Sequence, residues 1–182
     1  MLLFTPPEIE HGLAGDEVSQ RVVRVRGQPD QICMLRDMVN EYRNLYAIRA
    51  RARDIVYRQW PTAPKDKKSQ AIAIGRWVQD NISYIEEKPE VFQTPTHTVA
   101  TGYGDCDDFV TLIGSLLEAI GIDSELVGLH WRGEYRHIFP RAVMPWGERV
   151  PLDATLNAPI DYLTDPIKLA QDREGTVKIC VA

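Results

Sequence analysis

The sequence predicts an α+β protein with a helical N-terminal half followed by a small antiparallel sheet. Apolar residues recur at helical spacing up to Ile120, whereas short apolar runs separated by turn residues follow Gly121. The chain has 182 residues, enough for one ordinary domain with extensions. Hydrophobic residues make up 44% and charged residues 26%, which excludes wholesale disorder and allows a real core.

Four amphipathic helices are predicted from the apolar spacing. The first spans the apolar residues Ile32–Val39, and the second spans Leu45–Val56 and ends near Trp60. The third opens after Pro64 and continues to Ile82. The fourth starts beside Cys106 and ends at Gly121, and one apolar stripe runs along it: Phe109, Leu112, Ile113, Leu116, Leu117 and Ile120.

A loop is predicted over residues 83–105, between the third and fourth helices. Pro89 and Pro95 exclude a long element there, and Gly102 and Gly104 give the backbone freedom near its end. After the fourth helix the sequence predicts strands separated by a hairpin turn and ending in a last strand. The strands are at 125–129, 136–143, 148–153 and 176–181, with the turn at 145–147.

The domain organisation follows from where these patterns begin and end. Residues 1–30 lack a strong period and are predicted to be an N-terminal arm or extension, with one edge strand at 21–27. The main domain is predicted at 31–157, and residues 158–182 form a C-terminal extension of mixed pattern.

Charge and hydropathy exclude several classes of protein. With 26 acidic residues and 21 Lys plus Arg, the net charge of −5 disfavours a nucleic-acid partner. No apolar run approaches the roughly 18 residues of a membrane span. The first residues lack basic side chains and include Pro6 and Pro7, so no secretion signal is expected. We therefore expect a protein that stays in the reducing cytosol or leaves it without the general export route.

One of the three cysteines stands out by its position. Cys33, Cys106 and Cys180 are widely spaced without a C-x-x-C pair, which argues against a disulfide framework or zinc site. Cys106 lies at the predicted start of the fourth helix. A helix N-terminus favours the thiolate, and its unpaired N–H groups can hold an oxyanion. The alternative is a small buried side chain, which the flanking glycines and carboxylates disfavour.

A thiolate nucleophile needs a base, and four histidines are candidates: His11, His97, His130 and His137. His97 precedes Cys106 but has no evident orienting carboxylate, so His137 is favoured. A hairpin turn at 145–146 pairs residues whose numbers add up to about 290–292, where opposed Cβ atoms are about 5 Å apart. His137 would then face Asp153 or Thr155.

A carboxylate opposite His137 would accept an imidazole N–H and fix the tautomer. The sequence thus predicts a Cys106–His137–Asp153 triad, with a satisfied strand histidine as the alternative for His137.

These blocks together resemble the transglutaminase-like superfamily. The resemblance rests on Gly104–Phe109, Leu116–Ile122, His137 on a strand, Val150–Thr155 and the upstream helix Ile72–Tyr84. It covers residues 66–157, and the short, helix-first form is most similar to members encoded by tailed phages and prophages, often among virion genes.

The resemblance implies a papain-like α+β core, with residues 31–157 as the catalytic domain. It further implies thiol-dependent acyl transfer on peptide or glutamine-type amides, in the manner of a cysteine protease, amidase or cross-linking enzyme, without a cofactor. A protein or peptide would be the substrate. The alternative is a non-catalytic virion or tail-assembly protein, with virion proteins as partners and a place in the host cytoplasm or the virion. A cytosolic peptide-processing enzyme unrelated to phage is a third option.

The chain departs from the family pattern near the nucleophile. No Trp just precedes Cys106 to supply an indole donor, as in animal transglutaminases, so the Gln93 amide and the Cys106 N–H are the oxyanion-hole candidates. An exposed loop residue is the alternative for Gln93. Asp105 and Asp108 could bind calcium, as acids do in some bacterial protease relatives. Carboxylates are also favoured by the dipole at a helix start, so no metal is predicted.

Overall fold

A computed structural model describes residues 20–21, 28–86, 92–131, 134–157, 160 and 176–180. Within these ranges a layer of helices comes first in the chain and a sheet follows. The helices are α1 (Gln28–Tyr42), α2 (Tyr46–Asp54), α3 (Lys67–Asn81), α4 (Pro95–Thr101) and α5 (Cys106–Ala119). A π-helical turn at Ile55–Gln59 continues α2 toward Trp60.

The strands form one larger sheet and two short pairs. They are β1 (Gln20–Arg21), β2 (Ser83–Tyr84), β3 (Phe92–Gln93), β4 (Tyr103–Gly104), β5 (Asp123–Trp131), β6 (Glu134–Val143), β7 (Arg149–Pro151) and β8 (Thr176–Cys180). The larger sheet has the order β7-β6-β5-β8 and is antiparallel throughout. The short pairs are antiparallel β1–β3 and parallel β2–β4.

Helix α5 is the centre of the core. It packs against the other four helices and against β5 and β6. Its buried apolar side chains are Phe109, Val110, Leu112, Ile113, Leu116 and Leu117. Full burial of each large side chain contributes about 1.5–3 kcal/mol. The helix that carries Cys106 at its first position is therefore firmly anchored.

The predicted order of helices and strands is confirmed, as is the α+β fold class. Helices α1, α2, α3 and α5 and strands β5 to β8 lie where the patterns placed them. The predicted turn between β6 and β7 is closed by Gly147 N–H donating to the Met144 carbonyl at 2.8 Å. Gly147 has a φ of 89°, a conformation that favours glycine.

The prediction of a loop over residues 83–105 is wrong, since this segment holds α4 and short strands. Pro95 occupies the first turn of α4, where its missing N–H removes no helical hydrogen bond. Thr94 caps the helix by accepting a hydrogen bond from His97 N–H at 3.3 Å. Gly102 ends it with a φ of 73°. The residues interpreted as breakers are therefore the start and stop signals of one short helix.

Segments outside the predicted main domain also contribute strands. β8 pairs with β5 at the edge of the larger sheet, and β1 pairs with β3 so that Gln20 lies opposite Gln93. The predicted edge strand at 21–27 overlaps the described residues only at Arg21, and 22–27 lie outside them.

Across the described ranges, none of the helices is both long and apolar enough to cross a lipid bilayer.

Candidate active site

Cys106 is fixed at the first position of α5 by a double cap. The Asp105 carboxylate accepts a hydrogen bond from Asp107 N–H at 3.0 Å, and the Asp108 carboxylate accepts one from Asp105 N–H at 3.1 Å. This reciprocal arrangement satisfies N–H groups that a helix start would otherwise leave unpaired. Cys106 itself is partly exposed. The sulfur therefore sits at a rigid helix N-terminus within reach of solvent.

Asp108 also ties the cap to the segment before α5. Its side chain is buried and accepts a hydrogen bond from Gln93 N–H at 2.8 Å. Gly104 runs so close that an added Cβ would lie 2.7 Å from the Asp108 Cβ. A side chain at position 104 would therefore displace the carboxylate on which the cap depends.

A second carboxylate lies next to the sulfur. The Cys106 Sγ is 3.9 Å from Asp107 Oδ1, and Asp107 Oδ2 accepts a hydrogen bond from Gln31 Nε2 at 3.1 Å. Like charges at this distance repel. An ionised sulfur here therefore requires a neighbouring cation, which an imidazolium would supply.

Tyr84 is a neighbour of the sulfur that the sequence did not single out. Burial of the phenol, followed by the negative charges of Cys106 and Asp105, raises the pKa of Tyr84 to about 12. Its ring meets Phe109 edge-on, with centroids 5.9 Å apart. Tyr84 therefore stays a neutral phenol at physiological pH. Its place three residues after the end of α3 gave no sign of a position near the sulfur.

His137 and Asp153 form a close pair on the sheet side of the site. His137 on β6 approaches Asp153 with 2.5 Å between Nε2 and Oδ2, and only 2% of the Asp153 side chain is exposed. The other oxygen, Oδ1, accepts hydrogen bonds from Thr155 N–H at 3.1 Å and from its hydroxyl at 2.6 Å. Because Asp153 is held at both oxygens, it can orient the ring and leave Nδ1 for a reacting group.

His137 and Asp153 do not lie directly opposite each other across the hairpin. Arg141 lies opposite Pro151 and Val143 opposite Arg149, a register that would continue to His137 opposite Thr155. Of the two alternatives, direct opposition of Asp153 is therefore wrong. Strand β7 ends at Pro151, Leu152 N–H still donates to the Pro140 carbonyl at 2.9 Å, and the chain turns at 154–155. Asp153 then reaches His137 from outside the sheet.

Gln93 lies in the interior of the protein and not in an exposed loop. It is fully buried on β3, so the exposed-loop alternative is wrong. Its side-chain Oε1 accepts a hydrogen bond from the Thr101 hydroxyl at 3.4 Å. Gln93 is bonded through its backbone to Asp108, which lies two residues after Cys106.

Of the other histidines, only His97 has a side chain among the described residues. His97 lies on α4, and neither of its buried ring nitrogens has a hydrogen-bond partner among the described residues. His11 lies outside the described residues, as does the side chain of His130.

The acids around Cys106 serve the helix cap. Asp105 and Asp108 direct their carboxylates to backbone N–H groups of the cap. In the part of the chain that the structure describes, no group of three or more His, Cys, Asp or Glu side chains could hold a metal ion.

The elements carrying the predicted residues adjoin one another. Helix α5, which begins at Cys106, packs against β6, which carries His137. Phe109 in the first turns of α5 and Thr155, which binds Asp153, line one groove.

Residues 49–154 match the sequence model of the transglutaminase-like superfamily. The match covers more than half of the chain, so this protein belongs to the transglutaminase-like superfamily. No curated protein matches the sequence.

Two solved structures share the fold. A candidate protease from Parabacteroides distasonis has a TM-score of 0.55 at 14% identity, over 71% of this chain and 26% of that chain. A candidate cysteine protease from Cytophaga hutchinsonii has a TM-score of 0.52 at 17% identity, over 82% of this chain and 53% of that chain. This chain thus covers less than two thirds of either structure. At these identities the likeness establishes the papain-like, transglutaminase-like fold.

Proposed function

We propose that this protein catalyses thiol-dependent acyl transfer on peptide or glutamine-type amides. Cys106 is the nucleophile, His137 the general base and acid, and Asp153 the residue that orients His137. The observation that carries the proposal is the 2.5 Å contact between His137 and Asp153, on a strand packed against the helix that Cys106 begins.

The first half of the reaction forms a thioester. His137 takes the Cys106 proton, and the sulfur attacks the amide carbonyl to give a tetrahedral oxyanion. The intermediate collapses as the C–N bond breaks, and His137 returns the proton to the leaving amine. Asp153 stabilises the imidazolium that exists between these two transfers.

The oxyanion is held by donors at the start of α5. The Cys106 N–H lies at the positive end of the helix dipole, where a developing negative charge is stabilised. The Gln93 side-chain amide is the second proposed donor. Its burial, and its backbone bond to Asp108 at 2.8 Å, place β3 firmly beside the cap.

The second half of the reaction decides the type of enzyme. Water, deprotonated by His137, attacks the thioester and releases a carboxylic acid and the Cys106 thiol, which is proteolysis or amide hydrolysis. A primary amine in place of water forms a new amide, which is cross-linking. Both routes regenerate the free enzyme with the same three residues.

Mass spectrometry of candidate protein substrates tests the proposal. Incubation with the wild-type chain should give cleaved or isopeptide-linked products, and Cys106→Ala should give none. Cys33→Ala is the matched control, because Cys33 is exposed on α1 and lies outside the site. Products of equal yield from wild type and Cys106→Ala would refute the mechanism.

We further propose the domain organisation and the biological setting. Residues 31–157 form the catalytic domain, flanked by an N-terminal arm at 1–30 and a C-terminal extension at 158–182. The helix-first order of the sequence supports a phage or prophage gene as its source, and a place in the host cytoplasm or the virion.

A non-catalytic virion or tail-assembly subunit is the second candidate, favoured by the unpatterned N-terminal segment, which suits docking to partner subunits. It predicts co-purification with virion proteins and no product that depends on Cys106. Gene neighbourhood separates both from a cytosolic enzyme unrelated to phage.

A further inference from the structure

A groove of about 440 Å³ lies beside the candidate active site. Its wall residues come from the end of α3, the first turns of α5 and the segment that follows Asp153. The residues that matter for its chemistry are Asp80, Ile82, Tyr84, Phe109, Ala154 and Leu156. The volume suits one or two amino-acid side chains.

The position of the groove connects it to the proposed reaction. Phe109 follows Cys106 by less than one helical turn. Thr155, another wall residue, donates two hydrogen bonds to the Asp153 carboxylate. A side chain in the groove would therefore belong to a residue close to the bond that Cys106 attacks.

The groove has an apolar floor and an apolar rim. Ile82, Phe109 and Ala154 are buried beneath it. Tyr84 and Leu156 stand at its edge and are 49% and 42% exposed. The Leu156 carbonyl accepts a hydrogen bond from Gln79 Nε2 at 2.6 Å, which holds this wall in place without a ligand.

The charge of the groove is negative. Asp80 is exposed, and it makes no ion pair or hydrogen bond with the residues that the structure describes. No Lys or Arg is found among the described residues that line the groove. The Tyr84 phenol also lies in the field of Asp105, Glu86 and Asp107. An aliphatic stem that ends in a cation would match both the apolar floor and the acid.

We infer that this groove is a specificity subsite for a Lys or Arg side chain of the peptide substrate, with the stem against Phe109 and Ile82 and the cation beside Asp80. The inference rests on the proposed function. A partly exposed ion pair supplies modest energy, so the preference for Lys over an uncharged side chain of the same length should be about threefold to fivefold.

Matched peptides test the subsite. The peptides carry Lys, norleucine or Glu next to the amide bond that Cys106 is proposed to attack and are otherwise identical. Their kcat/KM is measured with the wild-type chain. Their affinity is measured with Cys106→Ala, which should bind them without turnover. Wild type should favour Lys over norleucine and norleucine over Glu. Asp80→Asn should bring the Lys-to-norleucine ratio close to one, and Asp80→Lys should reverse the Lys-to-Glu order. Asp37→Asn, an exposed acid on α1, is the control and should change neither ratio.

The outcomes separate the subsite from the chemistry. If Cys106→Ala binds Lys peptides more tightly in a manner that depends on Asp80, while wild type shows no turnover, the subsite stands and the proposed reaction fails. If wild type turns over all three peptides at equal kcat/KM, and neither Asp80 variant changes that, the subsite is overturned and the reaction stands. Added salt should weaken the Lys preference, because the ion pair is open to solvent.

Discussion

The two halves of the candidate site are held by different means. At the start of α5, carboxylates bond backbone N–H groups within three residues along the chain, and Asp108 adds a bond to Gln93. On the sheet, one side-chain contact joins His137 to Asp153 across the end of a strand ladder. The first half is fixed by local capping, and the second depends on where a strand stops. Loss of the first half should therefore cost stability, and loss of the second should cost activity.

The largest expected effect is on the sheet side. Asp153→Asn keeps the shape of the side chain but no longer supplies the charge that orients His137. We expect kcat to fall by about 10³–10⁴-fold with little loss of fold. Steady-state kinetics measure the change, and far-ultraviolet circular dichroism checks the fold. Activity within tenfold of wild type, a change of only about 1.4 kcal/mol in activation free energy, would exclude Asp153 from the mechanism.

The helix side should respond in stability. Asp108→Ala leaves the N–H groups of Gln93 and Asp105 buried without their acceptor, which should lower the free energy of unfolding by about 3 kcal/mol. Urea denaturation measures this change. Asp37→Ala is the exposed control and should stay within about 0.5 kcal/mol of wild type. Equal stability of the two variants would show that the cap contributes little.

Gly104→Ala tests the same half from the other direction. The new methyl group would lie 2.7 Å from the Asp108 Cβ, so we expect a loss of about 1–3 kcal/mol. Gly102→Ala is the comparison, because its Cβ meets nothing within 4 Å and only its φ of 73° is strained. Thermal melts compare the stability of Gly104→Ala with that of Gly102→Ala. If Cys106 alkylation changes with Gly102→Ala and not with Gly104→Ala, the link from Gly104 to the cap is wrong.

The smallest effect concerns Tyr84, whose phenol is more easily ionised when the chain is unfolded. Its pKa is raised from 10.0 to about 12, so its contribution to stability is complete below pH 10.0 and is lost as pH rises toward about 12. The absorbance titration of Tyr84→Phe is subtracted from that of wild type, and the difference should show one phenol that ionises near pH 12. Cys106→Ser should lower the pKa of Tyr84, because it removes a negative charge; an unchanged titration would separate Tyr84 from the sulfur.

The same contrast explains how much the sequence could predict. The long helices follow from apolar spacing, and the start of α5 follows from Asp105 and Asp108, because caps are local. Helix α4 was not predicted because seven residues make too few turns to show an apolar repeat. Pro95 and Gly102 were therefore interpreted as helix breakers.

The remaining misses depend on contacts between distant parts of the chain. Gln93 is buried because β3 pairs with β1 and its N–H meets Asp108, neither of which is visible in the segment around it. The position of the turn narrowed the strand register of the hairpin to two choices. The departure of the chain from the sheet after Leu152 could not be deduced, and Asp153 contacts His137 at that point.

The rate at which iodoacetamide alkylates Cys106 shows whether the sulfur and the His137 imidazole act together. Peptide mapping follows Cys106 and the exposed Cys33 in the same sample, in wild type and in His137→Ala. We expect Cys106 to react as a thiolate at about pH 6 in wild type, where an ordinary thiol is protonated, and we expect His137→Ala to remove this early reaction. If Cys106 follows the same pH profile as Cys33 in both proteins, the sulfur and the imidazole do not act together and the proposed mechanism is contradicted.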